Sequence, residues 1–144
     1  MADEFKKILV GVDDSADALA AFQYAIHRAK ADGAELIIAS ILESDEMNVY
    51  QAMTKDYVHG ERDALERHLN EYCQLAKQAG IASVRAIIGE GDPGETIVKV
   101  IIPKVQPDLL IIGAEAKKGL AKHFGSQATY MVKHANISVL VVRE

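Results

Sequence analysis

A single cysteine, Cys73, stands in the whole chain, and tryptophan is absent. One thiol cannot close an internal disulfide, and it shares no zinc-ligand spacing with the five histidines, so neither a disulfide framework nor a structural zinc is expected. Basic charge is in deficit: 16 Lys plus Arg face 21 Asp plus Glu, a formal net charge of −5. A nucleic-acid footprint needs the opposite balance to displace phosphate counterions, and no such partner is expected. Only three prolines occur, and no stretch rich in Pro, Gly and Ser forms a linker. No apolar run approaches the ~18 residues that span a bilayer, and the polar opening MADEFKK does not read as a signal peptide. No membrane partner is therefore expected, and the cytoplasm is the expected compartment.

What is present is an ordinary globular composition, 49% hydrophobic and 26% charged over 144 residues. A chain of this length buries roughly 68–70% of the surface its unfolded form exposes, enough for a self-supporting core. One domain spanning 1–144 is expected. Five apolar, β-branched runs punctuate it: Ile8 to Val12, Glu35 to Leu42, Val84 to Ile88, Asp108 to Ile112 and Ser138 to Val142. Such unbroken hydrophobicity marks strands buried on both faces.

Helical patterns separate the runs. Ala18, Leu19, Phe22, Ala25, Ile26 and Ala29 make one stripe, with Asp14 or Ser15 to cap its start and Gly33 to stop it. Leu65, Leu69, Tyr72, Cys73 and Ala76 make a second, ending at Gly80, while Met47 to Gly60 reads as a surface excursion, helical in part. Asp92, Pro93 and Glu95 form a capping-box start for a third helix, whose exit Pro103 and Pro107 bracket. A fourth begins near Gly125-Ser126 and ends about His134 to Asn136. Alternation to five strands and four helices predicts an α/β fold, an open, mostly parallel sheet with helices on both faces.

In such a sheet ligands sit outside the carboxyl ends of the strands, where strand order reverses. The loop after the fourth strand, Gly113 to Ser126, is the most informative. Gly125-Ser126 at a helix start offers backbone N–H groups, the positive dipole end and a hydroxyl, a receptor for phosphate. Gly113 would let backbone approach a ligand, and Lys117, Lys118, Lys122 and His123 concentrate positive charge in an acidic chain. Asp13, ending the first strand, suits a ribose hydroxyl, an adenine amino group or a cation; a simple helix cap is its plainer role.

The segments ILVGVDDS, GDPGETI, DLLIIGA and FGSQATYMVKHANISVLVVR, in this order and spacing, resemble the universal stress protein family over Ile8 to Arg143. The resemblance implies a Rossmann-like, adenine nucleotide alpha hydrolase-like fold of strand order 3-2-1-4-5, reversing between strands 1 and 4. It implies an adenine nucleotide, ATP or AMP or ADP, with Mg2+ on the phosphates in some binders, and a role as a stress-response regulator. Nucleotide-binding members share a Gly-x2-Gly-x9-Gly-Ser/Thr loop. Here Gly113 and Gly125-Ser126 match its ends, Ala116 stands where the second Gly is expected, and the loop is one residue short. Alanine at a position needing positive φ costs of order 1 kcal/mol, and Gly119 offers another flexible point. The resemblance sets Ile41 and its backbone against adenine, turns Asp13 toward the nucleoside, and wraps the phosphates with the backbone of Gln127 and Ala128. Val12, Ser15 and Ile112 complete the expected site, with His123 beside the phosphates.

Rival readings fit less well. A receiver domain would end strand 3 in Asp and strand 5 in Lys; these strands end Ile88-Gly89 and Arg143-Glu144. No Gly-x4-Gly-Lys-Ser/Thr is present, and the loose Gly89-Glu-Gly91-Asp-Pro-Gly94 spacing meets a proline in the helix cap. Cys73 lies on an apolar stripe, and Ser15, His27, His59 and His68 form no readable triad. No catalytic residue and no metal ligand is assigned, and slow ATP hydrolysis is the most that is expected. Strand 5, SVLVV, carries no Lys or Pro to protect a free edge, so a homodimer through Ser138 to Val142 is expected, as the resemblance also implies. The alternative function is a dimeric interaction module of the same family that binds no nucleotide, which Ala116 and the shortened loop favour.

Overall fold

The computed structural model describes residues 4–13, 16–42, 55–114 and 125–143, with backbone alone over 55–61. Its elements are β1 (Lys7–Gly11), α1 (Ala16–Asp32), β2 (Glu35–Leu42), α2 (Lys55–Gln78) and β3 (Val84–Glu90). There follow α3 (Pro93–Thr96), a π-helical turn (Ile97–Ile101), α4 (Ile102–Val105), β4 (Leu109–Gly113), α5 (Ser126–His134) and β5 (Ser138–Val142). The strands form one parallel sheet in the order β3-β2-β1-β4-β5, the expected topology.

Successive strand residues point to opposite faces, and here both faces are covered. Ile8 and Val10, Leu36 and Ile38, and Leu109 and Ile111 pack with Phe22, Leu69 and Ala76 from α1 and α2. Leu9, Ile37 and Ala39, and Leu110 and Ile112 pack on the other side with Ile97, Ile101, Val105, Ala128 and Met131. The central strands β2, β1 and β4 therefore sit between two apolar layers, whereas the edge strands β3 and β5, expected to be buried on both faces as well, are only partly buried because each has a neighbour on one side alone.

Glycine ends the two long helices as their positions suggested. Gly33 (φ 66) and Gly80 (φ 107) take left-handed backbone. Beyond each, the chain bonds back into its helix: Ala34 N–H donates to Ala29 C=O at 2.9 Å, and Ile81 N–H to Ala76 C=O at 3.2 Å. This six-to-one closure satisfies carbonyls that the helix end leaves open.

Two expectations need correction. Leu19 is 45% exposed and not on the core stripe. One residue turns a helix by about 100°, and Ala18, Ala21, Phe22, Ala25 and Ala29 fix the inward face of α1, leaving Leu19 on its flank. The helical stretch leading to Gly80 starts at Lys55, so the excursion is helical at its Gly60 end, in keeping with the partly helical reading; the earlier part, 43–54, lies outside the described residues. The exit of the third helix falls between Pro103 and Pro107, as expected. Proline lacks an N–H and its ring collides with the carbonyl four residues back. The π turn just before it widens the ladder, with Ile102 N–H donating to Ile97 C=O, and the helix continues to Val105 before Gln106 turns left-handed. Second, the capping box is half built. Glu95 N–H donates to Asp92 Oδ2 at 3.3 Å, but the Glu95 carboxylate pairs with Lys99 instead of returning to the cap.

Candidate functional site

The strand order reverses between β1 and β4, whose carboxyl ends lie side by side in the register Leu9↔Leu110 and Val10↔Ile111. Just beyond β1, Val12 N–H donates to Ala39 C=O at 2.8 Å, extending the ladder toward β2, and the half-buried Asp13 follows. Just beyond β4, Ala114 N–H donates to Val142 C=O at 3.0 Å, extending the ladder toward β5. The two neighbours thus turn to opposite partners, the arrangement that opens a crevice at a switch point.

The fourth-strand loop is tied at its base: Gly125 N–H donates to Ala114 C=O at 2.8 Å. That bond withdraws the Gly125 amide from the set expected to meet a phosphate. Gly125 is the N-cap of α5 with extended backbone (φ −71, ψ 154), and glycine brings no side chain to cap with. The first backbone bond of the helix comes at Thr129, whose N–H and Oγ1 both donate to Gly125 C=O at 3.0 Å. The amides of Ser126, Gln127 and Ala128 therefore precede the helical ladder and receive no side-chain cap. They point out of the positive end of a nine-residue helix.

Gly113 has a different reason from the one its position suggested. A Cβ there would lie 2.7 Å from the Asp17 carbonyl carbon and 2.8 Å from the Ala18 nitrogen. The first turn of α1 fills the space, so the glycine serves helix-on-strand packing. The three glycines of the β3–α3 turn are likewise spoken for. Gly89 makes room for Thr96 and Ile41, Gly91 takes φ +130, and Gly94 accepts Gln127 and Tyr130 against its Cα. The loose glycine spacing there is a packing pattern and not a dinucleotide fingerprint.

The remaining expected site residues divide by face. Ile41 pairs with Gly89 and packs against the layer that contains Ile112 and Ala128, the side of the sheet that carries α5. Ile112 and Ala128 are buried in that layer, so their side chains do not meet a ligand. Val12 is buried in the opposite layer. Ser126 is exposed. Ser15, Ala116, Gly119 and His123, together with Asp14 and the three loop lysines, lie outside the described residues.

Sequence reasoning misses the reach of one side chain at the candidate site. The expected role of Gln127 is backbone alone, yet its carboxamide reaches the β3–α3 turn: Gly94 N–H donates to Oε1 at 2.7 Å, and Nε2 donates to Asp92 Oδ1 at 3.0 Å. Its partners lie more than thirty positions away, and no local spacing signals such a pair. Cys73, for its part, is half-buried on α2, where burial pushes its thiol up against the downward pull of Lys77. Such a thiol stays protonated near neutral pH, the reverse of an activated nucleophile. Among the described residues no group of three or more His, Cys, Asp or Glu side chains is placed to hold a metal ion, and no helix is long and apolar enough to cross a membrane.

Comparison with known proteins returns one family. Residues 4–143 match the model of the universal stress protein family. A Staphylococcus aureus chain named for the universal stress proteins is 30% identical over 140 residues, covering 96% of this chain and 84% of that one. The crystal structure of UspA from Lactobacillus plantarum superposes with TM-score 0.88 at 23% identity, covering 99% of this chain and 100% of that one. A universal stress protein crystallised in complex with cAMP superposes with TM-score 0.70 at 25% identity, covering 97% and 98%.

Proposed function

The chain belongs to the universal stress protein family, and on that premise we propose that it binds an adenine nucleotide, ATP or AMP, at the reversal between β1 and β4, acting as a stress-response regulator and not as a metabolic catalyst. The observation that carries this reading is the uncapped start of α5. Three successive amides, Ser126 to Ala128, project from a helix end beside the β4 carboxyl terminus, and a phosphate supplies the acceptors and the negative charge that end lacks. The cAMP complex of a structural relative supports an adenine nucleotide as the ligand class. Asp13 would meet the nucleoside, Ile41 would lie against adenine, and Mg2+, where it accompanies the ligand, would travel with the phosphates.

Calorimetry with millimolar ATP and Mg2+ tests the reading. Heat of binding is expected, weakened roughly ten- to a hundredfold by Asp13→Ala or Ser126→Ala, since a lost charge-assisted hydrogen bond is worth about 1.5–3 kcal/mol. Absence of both heat and a thermal shift sinks the nucleotide and leaves the interaction-module function. The proposal extends to a homodimer through β5, an edge strand in a sheet of this order, whose Val139 to Val142 are only half-buried. Pairing with a second copy about a two-fold axis would cover that edge. Light scattering that finds a 15.7 kDa species at every concentration overturns this part.

A further inference from the structure

We infer that Gln127 and Asp92 form a polar clamp that positions the phosphate-facing amides of α5, so that the β3–α3 turn shapes the nucleotide site without touching the ligand; the inference rests on the nucleotide reading above. Gln127 is the second residue of α5 and owns one of the three uncapped amides. Its side chain runs the other way, to Gly94 and Asp92. The partners leave the carboxamide one orientation. A backbone N–H can only donate, so it takes the oxygen; a carboxylate only accepts, so it takes the NH2. Asp92 is itself held, its second oxygen accepting from Glu95 N–H, and Gly94 is bare at Cα so that Gln127 can come this close.

A long amide side chain gives up rotamer freedom to be fixed at both ends. What that fixation secures is the placement of the first turn of α5 relative to the sheet. The helix has no capping side chain to define its entry, and the clamp defines it from behind, leaving the amides in front open. Asp92 and Gln127 are thus positioning residues.

The test uses the full chain as wild type, Gln127→Glu, Asp92→Asn and the double variant, each checked by thermal melting and titrated with ATP and with adenosine. Gln127→Glu sets two carboxylates against each other. ATP affinity should fall about tenfold, the scale of one lost buried hydrogen bond, while adenosine affinity stays within about twofold. Asp92→Asn separates the clamp from simple charge: relief of repulsion would raise ATP affinity, whereas a broken clamp lowers it. The double variant exchanges donor and acceptor. Its new carboxamide at position 92 can donate to the new carboxylate at position 127, which still accepts from Gly94 N–H. ATP affinity should then return to within about threefold of wild type. The clamp is overturned if the double variant is no better than Gln127→Glu, if Asp92→Asn strengthens ATP, or if ATP and adenosine weaken equally. Wild type that binds neither ligand overturns the nucleotide reading and the clamp's role with it, whereas wild type that binds both and ignores the substitutions overturns the clamp alone.

Discussion

At the start of α3, Pro93 brings no amide, the Gly94 amide is taken by Gln127 and the Glu95 amide by Asp92. At the start of α5, which packs against it, Gly125 brings no capping group and three amides face outward. The two helix starts touch through Gly94 and Gln127, and they divide the work. One is saturated and serves as an anchor; the other is left reactive toward an acceptor. A helix end is therefore not an anion site by virtue of being a helix end. What matters is whether the protein has already supplied the acceptors, and here a single glutamine belongs to both arrangements.

The comparison can be broken at the contact itself. Gly94→Ala places a Cβ 2.8 Å from Gln127 Oε1 and 3.2 Å from the Gln127 carbonyl oxygen. The backbone oxygen cannot swing aside, so the helices separate, with an expected loss of about 1–3 kcal/mol by urea denaturation and a matching fall in nucleotide affinity. A stability unchanged within error would mean that the two starts are not coupled. A smaller change sharpens the contrast. Gly125→Asp gives α5 the cap that α3 enjoys, at a backbone conformation (φ −71) open to any residue. Stability should rise by a few tenths of a kcal/mol, while ATP affinity drops because the new carboxylate occupies the amides. Stability rising with ATP affinity intact would remove α5 from the site.

The architecture is legible in the sequence because its causes are local. The central strands, which read as apolar runs, lie between two layers, and Gly33 and Gly80 stop helices by the left-handed turn that only glycine takes cheaply. The misreadings share another cause. Leu19 reads as inward from its spacing, but the alanines of α1 choose the face. Glu95 reads as the return half of a capping box, but its carboxylate pairs with Lys99. For the site, the helix start at Gly125-Ser126 and the pairing of β1 with β4 follow from motif and topology. The reasons for Gly113 and the reach of Gln127 do not, because each depends on a partner brought close only by the fold, Asp17 in the one case and Asp92 in the other.

The bond from Gly125 to Ala114 gives the excursion between β4 and α5 the character of a cassette. Its two ends are stapled to each other, so the sheet and the last helix do not register how much chain lies between. Closure entropy grows only with the logarithm of length, about 0.6 kcal/mol for a full doubling, and one residue more or fewer is nearly costless to the fold. The length of this insert can therefore change while the scaffold beneath it stays the same.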